Sequence, residues 1–299
     1  MVHAGIGRWL LGLIACVGAL ALSACDRPQP QRQATPALWL ASDGDTRIWL
    51  FGTIHLLPPG VAWRTPAVRD AIAEADTLLT EIPPADPEDR AGTFLRMARA
   101  EDLPPIAERL PGVDPALLDR AVSAAGTDRA ALSRMKSWAA ALVIATGAGK
   151  DSGATVADGA EAVLTRAFAR AGKRHEALET LAGQFAIFDS LPETAQRSLL
   201  AESVRAAASG RADYARTLDA WASGDPARIE AAFRPLLADS PALEQALLID
   251  RNARWTAEIA RRMKQPGAVL VAVGAGHLAG PDSVPAMLRR RGIRVVRVN

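Results

Sequence analysis

The stretch AVLVAVGAGHL, residues 268–278, is an apolar run that ends at a glycine, with a histidine three residues after that glycine. The stretch IWLFGTIHL, residues 48–56, has the same order of residues far earlier in the chain. Short apolar runs that end at glycine are typical of buried strands, and α/β folds place functional side chains at strand ends. The repeat therefore predicts that His55 and His277 lie at the edge of a sheet.

Glycines accompany both histidines, at Gly52, Gly274 and Gly276. A residue without Cβ lets the backbone turn sharply or approach a ligand closely. Histidine has a pKa near neutrality and a ring nitrogen that can bind a metal or transfer a proton. The two GxxH motifs are therefore candidates for a metal or proton-transfer site.

The sequence on either side of the first motif predicts strands. Residues 37–42 and 46–51 flank the turn Asp43-Gly44-Asp45, which indicates a hairpin. Thr65 and Pro66 are typical of a helix start, as N-cap and first helical residue. Residues 77–82 predict a third strand.

The middle of the chain, from about 87 to 265, is rich in Ala, Leu and Arg and predicts helices, interrupted by one extended segment at 174–180. Residues 268–273, 283–291 and 293–298 predict a final strand, helix and strand. The expected fold is α/β or α+β, with a mixed sheet assembled from both ends of the chain and covered by the central helices.

The first residues predict an export signal and a lipid anchor. A short basic region precedes the apolar run 9–22, and Leu-Ser-Ala then precedes Cys25, which resembles a bacterial lipobox. Residues 1–24 are the expected signal peptide, and acylation of Cys25 would anchor the protein to a membrane. The Pro/Gln-rich segment 25–36 is the expected tether and 37–299 the folded domain, in the periplasm or otherwise outside the cytoplasm.

Composition narrows the function. Hydrophobic residues make up 49% and charged residues 23%, which is ordinary for a globular domain. The formal charge is +2 and Tyr occurs once, so the basic, aromatic surface of a nucleic-acid-binding protein is not expected. Cys16 and Cys25 are the two cysteines, which leaves the folded domain with no disulfide, thiolate zinc site or cysteine nucleophile.

Five sequence features together resemble the TraB/GumN family, which is related to the Tiki proteases and more distantly to the erythromycin esterases. The resemblance extends from about residue 37 to 298. Its marks are the GTIH stretch 52–55, Glu81 after the next strand, Leu178-Glu179-Thr180 with Gln184, the pair Arg251-Asn252, and the terminal stretch 274–298.

The same residues suit hydrolysis. His55, His277 and Glu81 form a donor set for a divalent metal that activates water. Without a metal, His55 oriented by Glu81 would be a general base. The resemblance to Tiki proteins implies metal-dependent peptide cleavage with Mn, Co or Zn, and the resemblance to erythromycin esterases implies ester hydrolysis without a metal.

Other polar residues are assigned by type. Arg251 is expected to clamp a substrate carboxylate or an oxyanion, with Asn252 and Glu179 as further substrate-binding residues. Glu161, where the family often has an acid, stays outside the predicted site, and His175 is expected on a strand surface. Gln184 is expected to hydrogen-bond structurally, and three tryptophans are expected in the core, Trp138, Trp221 and Trp255.

Two functions follow. The first is a membrane-anchored envelope hydrolase that acts on a peptide or on another small amide or ester. The second is a non-catalytic lipoprotein that captures a peptide or signal in the same cleft. The histidine pair alone does not separate binding from turnover.

Overall fold

The computed structural model describes residues 32–147, 153–237 and 240–299. The predicted signal peptide, Cys25 and the first part of the tether lie outside these residues. Residues 32–36, which the sequence analysis assigns to the tether, are already packed against the domain. Ala34 is buried, and the Thr35 amide donates a 2.7 Å hydrogen bond to the Ala222 carbonyl. The folded part therefore begins a few residues earlier than expected.

The strands of the described residues include two short ones that pair with each other away from the main sheet. In chain order they are β1 (Arg32–Gln33), β2 (Leu38–Ser42), β3 (Thr46–Thr53), β4 (Val61–Ala62), β5 (Thr77–Thr80), β6 (Arg174–Ala177), β7 (Gly267–Gly274) and β8 (Val295–Arg297).

The α-helices of the described residues lie mainly between β5 and β7. They are α1 (Pro66–Glu74), α2 (Pro87–Ala98), α3 (Pro115–Ala125), α4 (Arg129–Ser133), α5 (Ser137–Gly147), α6 (Ala160–Arg170), α7 (Leu181–Asp189), α8 (Glu193–Ser209), α9 (Arg211–Ser223), α10 (Pro226–Phe233), α11 (Pro241–Glu244), α12 (Asp250–Arg262) and α13 (Val284–Arg290).

The main sheet has six strands in the order β6-β5-β7-β3-β2-β8. Strands β6, β5, β7 and β3 run parallel, while β2 is antiparallel to both of its neighbours, β3 and β8. The late strand β7 lies between the early strands β5 and β3. The expectation of a mixed sheet built from both ends of the chain is confirmed, and the class is α/β.

Helices cover both faces of the sheet because its central strands are apolar on both sides, as in other parallel sheets. On one face, Phe51 and Leu270 pack with Phe168 of α6 and Trp221 of α9. On the other face, Leu50 and Val271 pack with α12 and α13. The contacting residues of these two helices are Trp255, Ile259, Val284 and Leu288.

A helical lobe with its own core extends from the sheet. Its centre is formed by α3, α5 and α8, where Val122, Ile144 and Leu200 pack together. Trp138 belongs to a smaller hydrophobic cluster, which connects the lobe to Phe185 of α7. The expectation that Trp138, Trp221 and Trp255 are core residues is confirmed, since each is at most 1% exposed.

Local sequence signals account for several element ends. Thr65 accepts a hydrogen bond from the Val68 amide and Pro66 opens α1, as expected. Strands β5 and β6 end earlier than expected, at Thr80 and Ala177, whereas β3 and β7 continue to Thr53 and Gly274. His175 is half-buried rather than on the surface, with Nε2 2.8 Å from the Thr80 hydroxyl, and burial lowers its pKa. In the described part of the chain, no helix has the length and apolarity needed to span a bilayer.

Candidate active site

Three neighbouring strands end at one edge of the sheet and bring the predicted site together. Thr53, at the end of β3, pairs with Gly274, at the end of β7. Thr80, at the end of β5, pairs with Ala272 of β7. The residues that follow these parallel strands are His55, His277 and Glu81, so all three lie at the carboxyl edge, where α/β sheets bind ligands.

The motif glycines allow this edge to pack closely. A Cβ on Gly52 would lie 3.1 Å from Cα of Ala275, and a Cβ on Gly274 would lie 3.2 Å from Oε1 of Glu81. A Cβ on Gly276 would meet the Phe233 ring at 3.4 Å. Gly52 and Gly274 are therefore required mainly because other atoms approach the backbone there.

Helix α12 supplies the groups that face Glu81 and His277. It follows a π-helical turn at Gln245–Ile249, a rare feature that is frequent at functional sites. Arg251 and Trp255 are four residues apart on the buried face of this helix. The Arg251 guanidinium lies 4.6 Å from the centre of the Trp255 ring.

Arg251 is bonded to two buried carboxylates. Its Nη2 donates to Oε2 of Glu81 at 2.6 Å and to Oε2 of Glu179 at 2.9 Å. Its Nε donates to Oε1 of Glu179 at 3.1 Å, and its Nη1 faces Nε2 of His277 at 3.3 Å. Burial disfavours the cation, but the two carboxylates raise the pKa of Arg251 above its usual value. Arg251 is therefore a buried cation that connects Glu81, Glu179 and His277.

The hydrogen bonds of His277 define which of its nitrogens carries a proton. The Asn252 amide donates to the Asp282 carbonyl at 2.8 Å, so Oδ1 of Asn252 faces Nδ1 of His277, at 2.7 Å. Nδ1 then carries the hydrogen, and Nε2 carries the lone pair. Burial lowers the pKa of His277 to about 4, despite the opposing charge of Glu81. This imidazole is neutral at neutral pH.

Glu81 is ionised in the same pocket. Burial opposes its charge, but the charges of His277 and Arg251 and the hydrogen bond from Gly274 hold its pKa well below the usual range. Because the His277 ring is neutral at neutral pH, the guanidinium is the main counter-charge there. Oε1 of Glu81 accepts the Gly274 amide at 2.7 Å and lies 4.0 Å from Nε2 of His277.

His55 has a different environment, because its side chain is 67% exposed. Its Nδ1 lies 2.6 Å from Oε2 of Glu161. The Glu161 carboxylate raises the pKa of His55 to about 9, and Glu81 adds to this effect while Arg90 opposes it. The charge of His55 also lowers the pKa values of Glu81 and His277. The two histidines therefore belong to one electrostatic site.

Several residues of the predicted site make contacts that differ from the expected ones. Asn252 is completely buried and holds His277, so the expected contact of Asn252 with substrate is not supported. Glu179 is 8% exposed and is bonded to Arg251 and to the Trp255 indole N–H. Arg251 has two protein carboxylates in place of the expected substrate carboxylate. In the structure, all three residues are bonded to other protein groups of the site.

Three contributors lie outside the predicted set. The sequence alone does not place Glu161, Gln184 or Trp255 in the site, since Gln184 is expected to hydrogen-bond structurally and Trp255 to lie in the core. Gln184 donates to Oε2 of Glu81 at 3.2 Å, and the Trp255 ring lies 4.4 Å from the His277 ring. The acid in the first turn of α6 was the signal for Glu161.

The donor chemistry of the site fits a divalent cation. Each histidine has Nδ1 held by an oxygen, which is the usual way in which proteins direct Nε2 towards a metal, and Glu81 is ionised beside them. Among the described residues, however, no three His, Cys, Asp or Glu side chains are grouped closely enough to hold an ion. The proton on His55 and the charge of Arg251 would compete with a metal.

The TraB/PrgY/gumN family model matches residues 37–297. The match covers the sheet, the helical lobe and every group of the site described above, and the chain belongs to this family. Neither a curated protein nor a solved structure matches the chain.

Proposed function

We propose that the protein is a membrane-anchored hydrolase of the bacterial cell envelope that cleaves a peptide, or another amide or ester bond. The observation that supports this most is the meeting of His55 and His277 at one sheet edge in opposite electrostatic environments. Environments that separate the pKa values of two titratable groups define an acid and a base.

His55 is the proposed acid. Its ring is exposed, and its Nδ1 is bonded to Glu161, so a proton on Nε2 can reach a leaving group in the cleft. A pKa raised to about 9 keeps this proton in place at neutral pH.

His277 is the proposed base, which accepts a proton from the attacking water while His55 gives a proton to the leaving group. Its lone pair on Nε2 faces Glu81 and Arg251, and burial keeps the ring neutral. Asn252 fixes this orientation. Nη1 of Arg251 faces this nitrogen at 3.3 Å, and its positive charge would stabilise an oxyanion that develops beside it.

The residues that would hold a metal are His55, His277 and Glu81. When bound there, Mn²⁺, Co²⁺ or Zn²⁺ would polarise the scissile carbonyl and lower the pKa of a bound water. The protein groups would keep their roles of orienting the rings and balancing the charge of Glu81.

The test is hydrolysis of a peptide library and of aryl esters by protein that begins at Asp26, which retains every described element. Each assay is run with Mn²⁺, Co²⁺, Zn²⁺ or chelator. We expect His55→Ala and His277→Ala to lower kcat/KM at least about 100-fold, while His175→Gln, on the edge strand β6, stays near wild type. Equal turnover by wild type and both alanine variants would rule out the proposed chemistry.

A second candidate is a non-catalytic binder of peptides or signals. It is favoured by the saturation of Arg251 by protein carboxylates, which leaves less of its charge for catalysis. Peptides that bind the wild-type protein and are recovered uncut under all metal conditions would support this candidate over the hydrolase.

The proposed anchor is tested separately from the chemistry. With an acylated Cys25 we expect the protein to fractionate with membranes and to be extracted only by detergent. Cys25→Ser is expected to release it from membranes or to leave it unprocessed. A wild-type protein whose N-terminal peptide carries no lipid in mass spectrometry would exclude this anchor.

A further inference from the structure

The start of α6 is fixed against the segment that carries His55. The Ala160 amide donates to the Ile54 carbonyl at 3.1 Å, and Leu57 and Thr155 exchange backbone hydrogen bonds of 3.2 and 2.9 Å. A Cβ on Gly159 would lie 2.7 Å from the carbonyl carbon of His55. Since real Cβ atoms do not approach so closely, only glycine allows this packing.

Glu161 is in the first turn of this fixed helix and uses both carboxylate oxygens. Oε2 lies 2.6 Å from Nδ1 of His55, and Oε1 accepts a 3.0 Å hydrogen bond from the hydroxyl of Thr53. Thr53 is buried at the end of β3. The carboxylate is therefore held from the sheet on one side and contacts the imidazole on the other.

The two histidines thus share one arrangement with different partners. In each ring Nδ1 faces an oxygen from a distant part of the chain, Asn252 for His277 and Glu161 for His55. A ring held at Nδ1 presents Nε2 to its surroundings in a defined direction. The His55 side chain is 67% exposed, so much of this side chain is open to solvent.

The contact between Glu161 and His55 adds little to the stability of the fold. Ion pairs with one exposed partner contribute about 0–1 kcal/mol, and the Thr53 hydroxyl would remain free to bond elsewhere. The effect of the Glu161 contact that remains is on the orientation of the exposed His55 ring.

We infer that Glu161 is the positioning residue of His55, which holds the imidazole through Nδ1 so that Nε2 faces the substrate. This inference rests on the proposed hydrolase function and adds a residue to it. Glu161 acts through His55 and does not contact substrate itself.

The test compares Glu161→Ala and Glu161→Gln with the control Glu88→Gln. Glu88 is an exposed glutamate in the first turn of α2, so its substitution removes the same helix-start charge. Imidazole ¹⁵N–¹H correlation spectra at neutral pH report the hydrogen bond at Nδ1, with the His55 signals assigned by loss in His55→Gln. Steady-state kinetics on the same proteins separate kcat from KM.

In Glu161→Ala we expect loss of the downfield Nδ1 proton of His55 and a fall in kcat of about 10–100-fold, with KM within about twofold. Glu161→Gln keeps an oxygen acceptor and should recover part of both signals, and Glu88→Gln should match wild type. Unchanged His55 signals in Glu161→Ala would overturn the inference, as would altered signals with unchanged kcat. If the wild type hydrolyses nothing, the proposed function fails, and the spectra alone decide whether Glu161 positions His55.

Discussion

At the scale of single residues, the site consists of a few charges that constrain one another. Arg251 joins Glu81 and Glu179, and all three are nearly buried. Burying charges is costly unless each has a partner with good geometry. A buried arrangement of this kind adds little net stability, but it fixes the charges of the groups that face His277.

Asn252 offers a direct test of how His277 is oriented. Replacement by alanine removes the oxygen that holds Nδ1 at 2.7 Å, so the neutral ring can exchange tautomers and present Nε2 less often. We expect Asn252→Ala to lower kcat about 10–100-fold with a smaller change in KM.

The control is Asn252→Asp, which keeps an oxygen acceptor beside Nδ1. This variant should retain more activity than Asn252→Ala. If both variants have wild-type kcat, the role assigned to Asn252 is wrong.

At the scale of elements, the site depends on segments whose backbones pack in close contact. Helix α6 packs on the segment after β3 only because residue 159 is glycine. Its φ is −55°, which any residue adopts, so the requirement is steric and not conformational.

Gly159→Ala should consequently push α6 away from His55. We expect a loss of about 1–3 kcal/mol in the free energy of unfolding, as for other overpacked sites, together with weaker protection of the His55 Nδ1 proton. Denaturant unfolding and imidazole spectra measure these two effects.

Gly276→Ala is the matched comparison, because its nearest new contact is the Phe233 ring at 3.4 Å. A side chain can move by a few tenths of an ångström, whereas the His55 carbonyl cannot do so without moving the backbone that carries His55. Equal stability losses in the two variants would contradict this steric account.

Local sequence signals predict most of the elements and the meeting of the two GxxH motifs, but not the contacts of the groups around the histidines. The GxxH motifs predicted strand ends, and Glu81 after its apolar run predicted a neighbour of His55, because parallel strands share an edge. The contact between Glu161 and His55 joins residues far apart in the chain and depends on the placement of α6. No local pattern specifies that placement, and none showed that Asn252 would be buried.

At the scale of the whole molecule, the two histidines should give opposite dependences of stability on pH. Burial lowers the pKa of His277 to about 4, with Glu81 opposing and Arg251 and His55 adding to the shift. An unfolded histidine titrates near pH 6.5. Between about pH 6.5 and 4 the unfolded chain therefore binds a proton that the folded chain excludes, so stability falls as the pH decreases.

For His55 the sign is reversed, because its pKa is raised to about 9. Its contribution is fully present below about pH 6.5 and is lost as the pH rises through about 9. This contribution of His55 to stability is small, because water screens its exposed ion pair with Glu161. Glu81 contributes stability that is lost only as the pH falls from about 4.5 towards its lowered pKa.

Urea unfolding across this pH range, in chelator, tests these assignments. We expect His277→Gln to flatten the decline between about pH 6.5 and 4 relative to wild type, and His55→Gln to leave that decline in place. Parallel curves for wild type and His277→Gln would show that His277 is not buried in a neutral state.

The order of strands in the sheet has a consequence for how the protein matures. Strand β7 (Gly267–Gly274) lies between β5 and β3, so the edges of these two early strands that face β7 stay unpaired until nearly the whole polypeptide has emerged. For a chain exported in an extended form, this interval exposes apolar edges that are prone to aggregation. The nascent chain would need a chaperone until β7 is available. A chain that terminates before β7 would be prone to aggregation and would lack the complete site.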